Sequence, residues 1–269
     1  MFQMSVLRRP IAVVLASLLV LLTGCASTPK DAESKWSAER LYAEAKEEAS
    51  LGNYDRAGKL YERLEGRASG TALAQQAQIE RAYMLYKNAD KAQALSVLER
   101  FIKLHPTSAA LDYALYLQGL INFNDNLGLL GNLSRQDLSE RDQQAARDSY
   151  QSFKQLVEQF PQSLYADDAR VRMNYIINTL AAYEVHVASY YYRRGAYVAA
   201  ANRAQTVVTE FQHSPSAQQA LYIMRASYDK LGLTVLRDDA DRVLRKSFPA
   251  ATIAEDGVGA SKRPWWQLW

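Results

Sequence analysis

Four kinds of residue in this 269-residue chain could do chemistry: one cysteine, three histidines, several acidic pairs, and seventeen tyrosines, some of them beside lysine or arginine. The cysteine carries the most information. Cys25 closes the string Leu22-Thr23-Gly24-Cys25, a branched apolar residue and two small ones before the thiol. That order lets a lipid-modifying enzyme reach the sulfur and a peptidase reach the bond before it. The sulfur would become a thioether to diacylglycerol, and cleavage would free an amino group for a third acyl chain. At roughly 0.8 kcal/mol per buried CH2, one chain holds a protein to a membrane only marginally, and two or more hold it stably. Upstream lie Arg8, Arg9 and the apolar run Ile11 to Leu22, broken only by Ser17. The run is shorter than the roughly 20 residues that span a bilayer core, so it reads as a secretory signal. The alternative, a plain signal or single-pass anchor with an incidental thiol, needs the only cysteine to fall there by coincidence. Ala26 follows instead of the Asp that favours inner-membrane retention in Gram-negative sorting, which points to the periplasmic face of the outer membrane. Ala26 to Ser37 reads as a tether.

The other candidates offer little catalysis. One Cys excludes an intramolecular disulfide, and one Cys with His105, His186 and His213 is too few for the usual zinc site, so no metal or cofactor is expected. Glu184 and His186, two apart in a helical stretch, do not share a face and make no acid/base pair. No H-E-x-x-H, G-x-S-x-G, G-x-G-x-x-G or Walker pattern occurs. Asp167-Asp168 and Asp238-Asp239 are expected near helix starts, where carboxylates favour the dipole. A net charge of +3, evenly spread, gives no nucleic-acid footprint. A mean hydropathy of −0.29 argues against a multi-pass membrane protein. An enzyme is not expected.

The elements that would position these residues are helices, since apolar residues recur at three and four from Ala38 onward. They also repeat. Ala45, Gly52, Ala57 and Tyr61 align with Ala82, Ala89, Ala94 and Leu98, each pair 37 residues apart, and Leu64 aligns with Phe101. Ala188, Gly195, Ala200, Ala204 and Val207 fit the same template, as do Tyr228, Gly232 and Phe248-Pro249. Pro106 and the strings Gln159-Phe160-Pro161 and Glu210-Phe211-Gln212 close units. Small residues at fixed points on both helices let antiparallel pairs approach and stack. The expected fold is all-α, a right-handed solenoid of about five tetratricopeptide-like helix-turn-helix repeats. An irregular Ala-rich bundle is the plainer alternative.

The expected domains are a lipoprotein signal peptide over 1-24, a lipidated tether over 25-37, a repeat body over 38-251 and a tail over 252-269. The interval from Pro106 to Pro161 places an insertion in the third unit, near 122-141, and Ala169 to Tyr192 reads as one long helix bridging the halves of the array. First helices of such repeats line a binding groove, and the expected lining is Tyr42, Lys46, Ile79, Tyr83, Tyr86 and Lys87. Tyrosine brings apolar contact with a polar tip, and lysine can meet a carboxylate. These tyrosines packing between repeats is the other possibility. The tail ends with Trp265, Trp266 and Trp269, three of the four Trp, after Lys262 and Arg263. That density suits an interfacial anchor or docking motif.

Specific strings add a resemblance. Tyr86-Lys87-Asn88-Ala89-Asp90, Leu98 to Ile102 with Pro106-Thr107, Asp112-Tyr113 and Gly119-Leu120 resemble the BamD (ComL-type) family of outer-membrane protein assembly lipoproteins. Leu180 to Glu184, Val187 to Tyr191, Arg194 to Tyr197 and Asn202-Arg203 are similar almost residue for residue, and the likeness runs from Cys25 to about Pro249. The resemblance implies a periplasmic, lipid-anchored subunit of the β-barrel assembly (Bam) machine. Its implied partners are the barrel-forming subunit BamA, accessory Bam lipoproteins and unfolded outer-membrane β-barrel proteins. It implies a barrel-subunit contact in the C-terminal repeats, with Arg194 and Arg203 as candidates, and substrate reception near Tyr83, Tyr86 and Lys87. For Arg203, a salt bridge within the chain is the alternative. The alternative function is a periplasmic adaptor acting at the peptidoglycan or in DNA uptake. Two departures stand out: Arg67 to Thr71 replaces a Tyr-Pro-Phe-Gly-type segment, and Gln143 stands where proline is usual.

Overall fold

The computed structural model describes residues 35–123 and 140–249. Among them every regular element is a helix. In chain order these are α1 (Ala38–Ser50), α2 (Tyr54–Arg67), α3 (Ala72–Lys87), α4 (Lys91–Leu104) and α5 (Leu111–Asn122), then α6 (Glu140–Gln159), α7 (Ala166–Arg193), α8 (Tyr197–Glu210), α9 (Ala217–Lys230) and α10 (Thr234–Ser247). They form consecutive helix pairs of the kind the periodicity calls for. The insertion proposed for 122-141 lies outside the described residues except at its ends, where α5 stops at Asn122 and α6 begins at Glu140. α6 is already under way at Gln143, so the missing proline does not delay it. Cys25, the signal segment and Trp265, Trp266 and Trp269 also fall outside the described residues.

Two kinds of turn alternate along the chain. Within a pair, the first helix ends on a left-handed residue: Gly52, Ala89, Gly195 and Gly232 have φ of 80°, 63°, 77° and 71°. Each time the next N–H returns to a carbonyl five residues back: Asn53 to Glu48, Asp90 to Leu85, Ala196 to Tyr191 and Leu233 to Tyr228, at 2.9 to 3.0 Å. This satisfies carbonyls that the helix end would otherwise orphan. Between pairs the recurrent residue is serine, two positions after the slots Pro106, Pro161 and Gln212 in which the sequence shows its breaks. Ser108, Ser163 and Ser214 donate their N–H to His105, Phe160 and Phe211, and their hydroxyls accept from Ala110, Tyr165 and Ser216 at 3.4, 3.2 and 3.3 Å. Thr71 plays the corresponding part before α3, accepting from Ala74 at 3.3 Å.

Contacts divide the chain into two compact units, Met1–Ala77 and Gln78–Trp269. In the first, α1 packs on α2. α1 buries Leu41 and Ala45; α2 buries Ala57, Leu60, Tyr61 and Leu64. In the second, each helix from α4 to α9 packs on the one after it, and α7 also touches α9, so first helices of consecutive pairs meet. Alanines sit at the crossings. Ala82, Ala94, Ala114, Ala169, Ala188, Ala200, Ala204 and Ala220 are all fully enclosed. Between α5 and α6 the small residue is Gly119, where a Cβ would stand 2.5 Å from the Phe153 ring. Its carbonyl accepts from the buried Ser149 hydroxyl at 2.8 Å.

The long helix foreseen over Ala169 to Tyr192 is a single helix of 28 residues, Ala166–Arg193. It packs on α6 before it and on α8 and α9 after it. Asp167 and Asp168 lie in its first turn, where their charge suits the dipole. The matching expectation for Asp238 and Asp239 does not hold. α10 starts at Thr234 with no acidic residue in its first turn, and these carboxylates pair with Arg237 and Arg242 instead.

Ala89 is the one non-glycine left-handed residue among those described. A left-handed alanine costs roughly 1–2 kcal/mol, partly offset by the greater unfolded-state freedom of glycine. Ala89→Gly is therefore expected to stabilise the chain by about 0.5–1 kcal/mol, and Gly195→Ala, whose Cβ would meet nothing within 4 Å, to destabilise it by about 1 kcal/mol. Urea unfolding midpoints measure both; a destabilising Ala89→Gly would contradict the turn assignment.

Candidate functional site

The proposed groove residues separate by unit. In the first, Tyr42 is half-buried, edge-on to Tyr61 with centroids 6.3 Å apart, and the Lys46 ammonium sits 5.8 Å from its ring centroid. In the second, Tyr83 and Tyr86 are half-buried against the core of α3, α4 and α5, and Lys87 is exposed in the last turn of α3. Ile79 departs from expectation. It is 3% exposed, packed with Ala82, Val97, Leu98 and Phe101, so it serves the core and offers no surface to a ligand.

The C-terminal candidates lie on α7 and α8. Arg194 is the exposed C-cap of α7, its guanidinium 5.4 Å from the Tyr190 ring centroid. Arg203, on α8, puts Nη1 3.2 and 3.4 Å from the two carboxylate oxygens of Glu184 on α7. The Glu184 side chain is 5% exposed and that of Arg203 46%. An enclosed carboxylate needs a counter-charge or it neutralises, and Arg203 supplies one from the solvent edge. A sequence signal for this existed: Glu184 falls in the apolar stripe Leu180, Ala181, Val185, Ala188, and a charge in such a stripe demands a partner.

A second cluster went unnoticed in the sequence. Tyr116 donates its hydroxyl to Asp168 at 2.7 Å, and Arg172 Nε reaches the same oxygen at 2.6 Å. The Tyr116 ring stacks on Tyr165 at 4.7 Å, Tyr165 meets Tyr113 at 5.3 Å, and Ser163 donates to Asp112 at 2.7 Å. The Arg172 guanidinium lies 4.8 Å from the Phe123 ring centroid. These contacts tie α5 to the start of α7. Burial opposes the charge on Asp168, but the hydrogen bonds from Arg172 and Tyr116 outweigh it and hold the carboxyl below its usual range. Burial, helped by Glu80, pushes the Tyr113 phenol up to about 12. Asp168 and Arg172, four apart on one helix, were legible as a pair; Tyr116 joins them only through packing across 52 residues.

Among the described residues no group of three or more His, Cys, Asp or Glu could hold a metal ion, and no helix is long and apolar enough to cross a membrane. The candidate residues thus comprise half-buried tyrosines, an exposed arginine over a ring, and an arginine held by a buried acid.

Comparison with known proteins gives a consistent picture. A family described as outer membrane lipoprotein, YfiO, matches residues 34–243. The chain is 43% identical over 258 residues to the outer membrane protein assembly factor BamD of Neisseria meningitidis strain Z2491, covering 94% of this chain and 97% of that one. It is 36% identical to the BamD of Xylella fastidiosa strain Temecula1, over 88% of this chain and 81% of that one. It is 35% identical to the BamD of Vibrio cholerae, over 80% of this chain and 89% of that one.

Tyr113 gives this cluster a pH signature. A phenol at about 12 in the folded chain titrates near 10 when unfolded. Between these values the folded state keeps a proton that the unfolded state has lost, so the tyrosine's contribution is complete below pH 10 and fades as pH rises toward 12. Tyr113→Phe is expected to flatten the fall in unfolding midpoint across that window; identical slopes in the two proteins would contradict burial of the phenol.

Proposed function

Because this chain belongs to the BamD family of outer-membrane lipoproteins, we propose that it is a lipid-anchored scaffold of the outer-membrane β-barrel assembly machine, without enzymatic activity. The observation that carries this is 43% identity to an outer membrane protein assembly factor over nearly the whole of both chains. The lipid on Cys25 would hold the chain to the periplasmic face of the outer membrane. The C-terminal helix pairs, with Arg194 and Arg203, would meet the BamA-like barrel subunit. The tyrosines of the first two pairs, Tyr42, Tyr83 and Tyr86 with Lys46 and Lys87, would meet unfolded barrel chains. Accessory Bam lipoproteins complete the partner set, and Trp265, Trp266 and Trp269 supply a further attachment to membrane or complex.

The chemistry suits the role. A protein that receives many sequences gains from tyrosine and lysine, which offer apolar area, a hydrogen-bonding tip and charge without demanding one shape. Successive helix pairs each present a surface of their own, so different pairs can serve different partners.

Purification of the lipidated protein from its own cells in mild detergent tests the reading: a barrel-forming outer-membrane subunit should accompany it, and its repeated absence would count against the proposal. Cys25→Ser is expected to abolish labelling by radioactive palmitate and to remove the protein from the outer-membrane fraction. Full labelling or unchanged fractionation would contradict the anchor.

A further inference from the structure

Helix α10, the last of the described helices, has two unlike sides. Toward α9 it buries Ala240 and Leu244, the latter packed with Leu221 and Tyr222, and Arg225 on α9 holds Asp241 at 3.1 Å. The open side is apolar, where the outer face of a terminal repeat needs to be polar. Leu236 and Val243, seven apart, share it, and Leu233 and Val235 stand at its start; all four are 43 to 72% exposed. Aliphatic side chains left open along one helix need a cover.

Charge is ordered along this helix as well. After the apolar start come Asp238 and Asp239, and toward the end come Arg242, Arg245 and Lys246. Asp238 pairs with Arg237 and Asp239 with Arg242, but pairs this open to water contribute little, and their carboxylates have further lone pairs to offer. The chain continues past Pro249 for twenty residues that lie outside those described. In chain order they carry Glu255-Asp256, then Lys262-Arg263, then Trp265-Trp266 with Leu268 and Trp269. These blocks complement α10 when they run back along it. The acids then meet the basic last turn, the bases meet Asp238 and Asp239, and the indoles reach Leu233, Val235 and Leu236. The 14 residues of α10 rise about 21 Å and twenty extended residues span about 65 Å, so the return needs no stretching.

We propose that residues 255–269 fold back antiparallel on the open side of α10, the tryptophans covering its exposed aliphatic residues and Lys262 and Arg263 pairing with Asp238 and Asp239. Each indole brings a large apolar area, and the short connection gives the segment a high effective concentration at this face. The end of the repeat array is thereby capped by its own chain. Attachment of these tryptophans elsewhere then requires the segment first to leave α10, and release uncovers the indoles and Leu236 together. The cover needs no other subunit, so it stands apart from the assembly role proposed above.

Tryptophan emission reads this contact, because Trp36 is the single tryptophan outside the segment and Trp36→Phe silences it in every chain compared. The full lipidated chain is reconstituted without other proteins in vesicles of phosphatidylcholine with brominated acyl chains, and acrylamide serves as the aqueous quencher. Folded back, the indoles should emit to the blue of the denatured chain and resist both quenchers, and dilution of the protein should not change this. Leu236→Gln with Val243→Gln should shift emission to the red and restore acrylamide quenching, with helical circular dichroism unchanged. Asp238→Lys with Asp239→Lys should release the segment too, and adding Lys262→Glu with Arg263→Glu should seat it again. Quenching by the brominated lipid would assign the segment to the membrane, and protection lost on dilution would assign it to a second copy. Either result, acrylamide quenching equal to that of the denatured chain, or protection that survives the α10 substitutions would overturn the proposal.

Discussion

Close approach of neighbouring helices at fully enclosed alanines is the interaction on which the other features of this chain depend. With no side chain beyond a methyl at Ala82, Ala94, Ala114, Ala169, Ala188, Ala200, Ala204 and Ala220, backbones can lie near enough for larger residues on either side to interlock. Gly119 takes this furthest, letting the Phe153 ring rest on the helix itself. Such crossings repeat only if the turns return each helix to the same place. The left-handed position within pairs and the serine turn between them do that, each with hydrogen bonds that satisfy the helix ends.

Spacing fixed in this way leaves particular residues at the edges of the packed layers. Tyr83 and Tyr86 lie half in the core and half out, which gives them firm footing. Arg203 reaches Glu184 because α7 and α8 are brought together by Ala188, Ala200 and Ala204. The cluster of Tyr113, Tyr116, Tyr165 and Asp168 joins α5 to α7 across the third pair, where the chain between α5 and α6 departs from the repeat. The polar and aromatic contacts there tie α5 directly to the start of α7, in addition to the packing of both on α6.

The helices, their pairing and the turn positions were legible in the sequence because they follow from local periodicity and from residues with few conformational options. Gly52 aligned with Ala89 on spacing alone, and the structure gives both the same left-handed backbone. The serine turn was less visible, because proline is the louder breaker and occupies only two of the three equivalent slots. Ile79 looked like groove lining because it shares a helix with Tyr83 and Tyr86, yet α3 has no strong apolar side and buries positions around much of its circumference. Asp238 and Asp239 were misplaced by one turn, since no capping residue marks where α10 begins. The Tyr116 and Asp168 contact could not be read at all: it depends on tertiary packing over 52 residues.

Membership of the BamD family makes this chain a part of the machinery that assembles outer-membrane proteins. The most direct measurement is quantitative mass spectrometry of outer-membrane fractions as the protein is depleted in its own cells. Integral β-barrel proteins should fall together while lipid-anchored proteins of the same membrane hold steady. Unchanged β-barrel levels after full depletion would contradict the account.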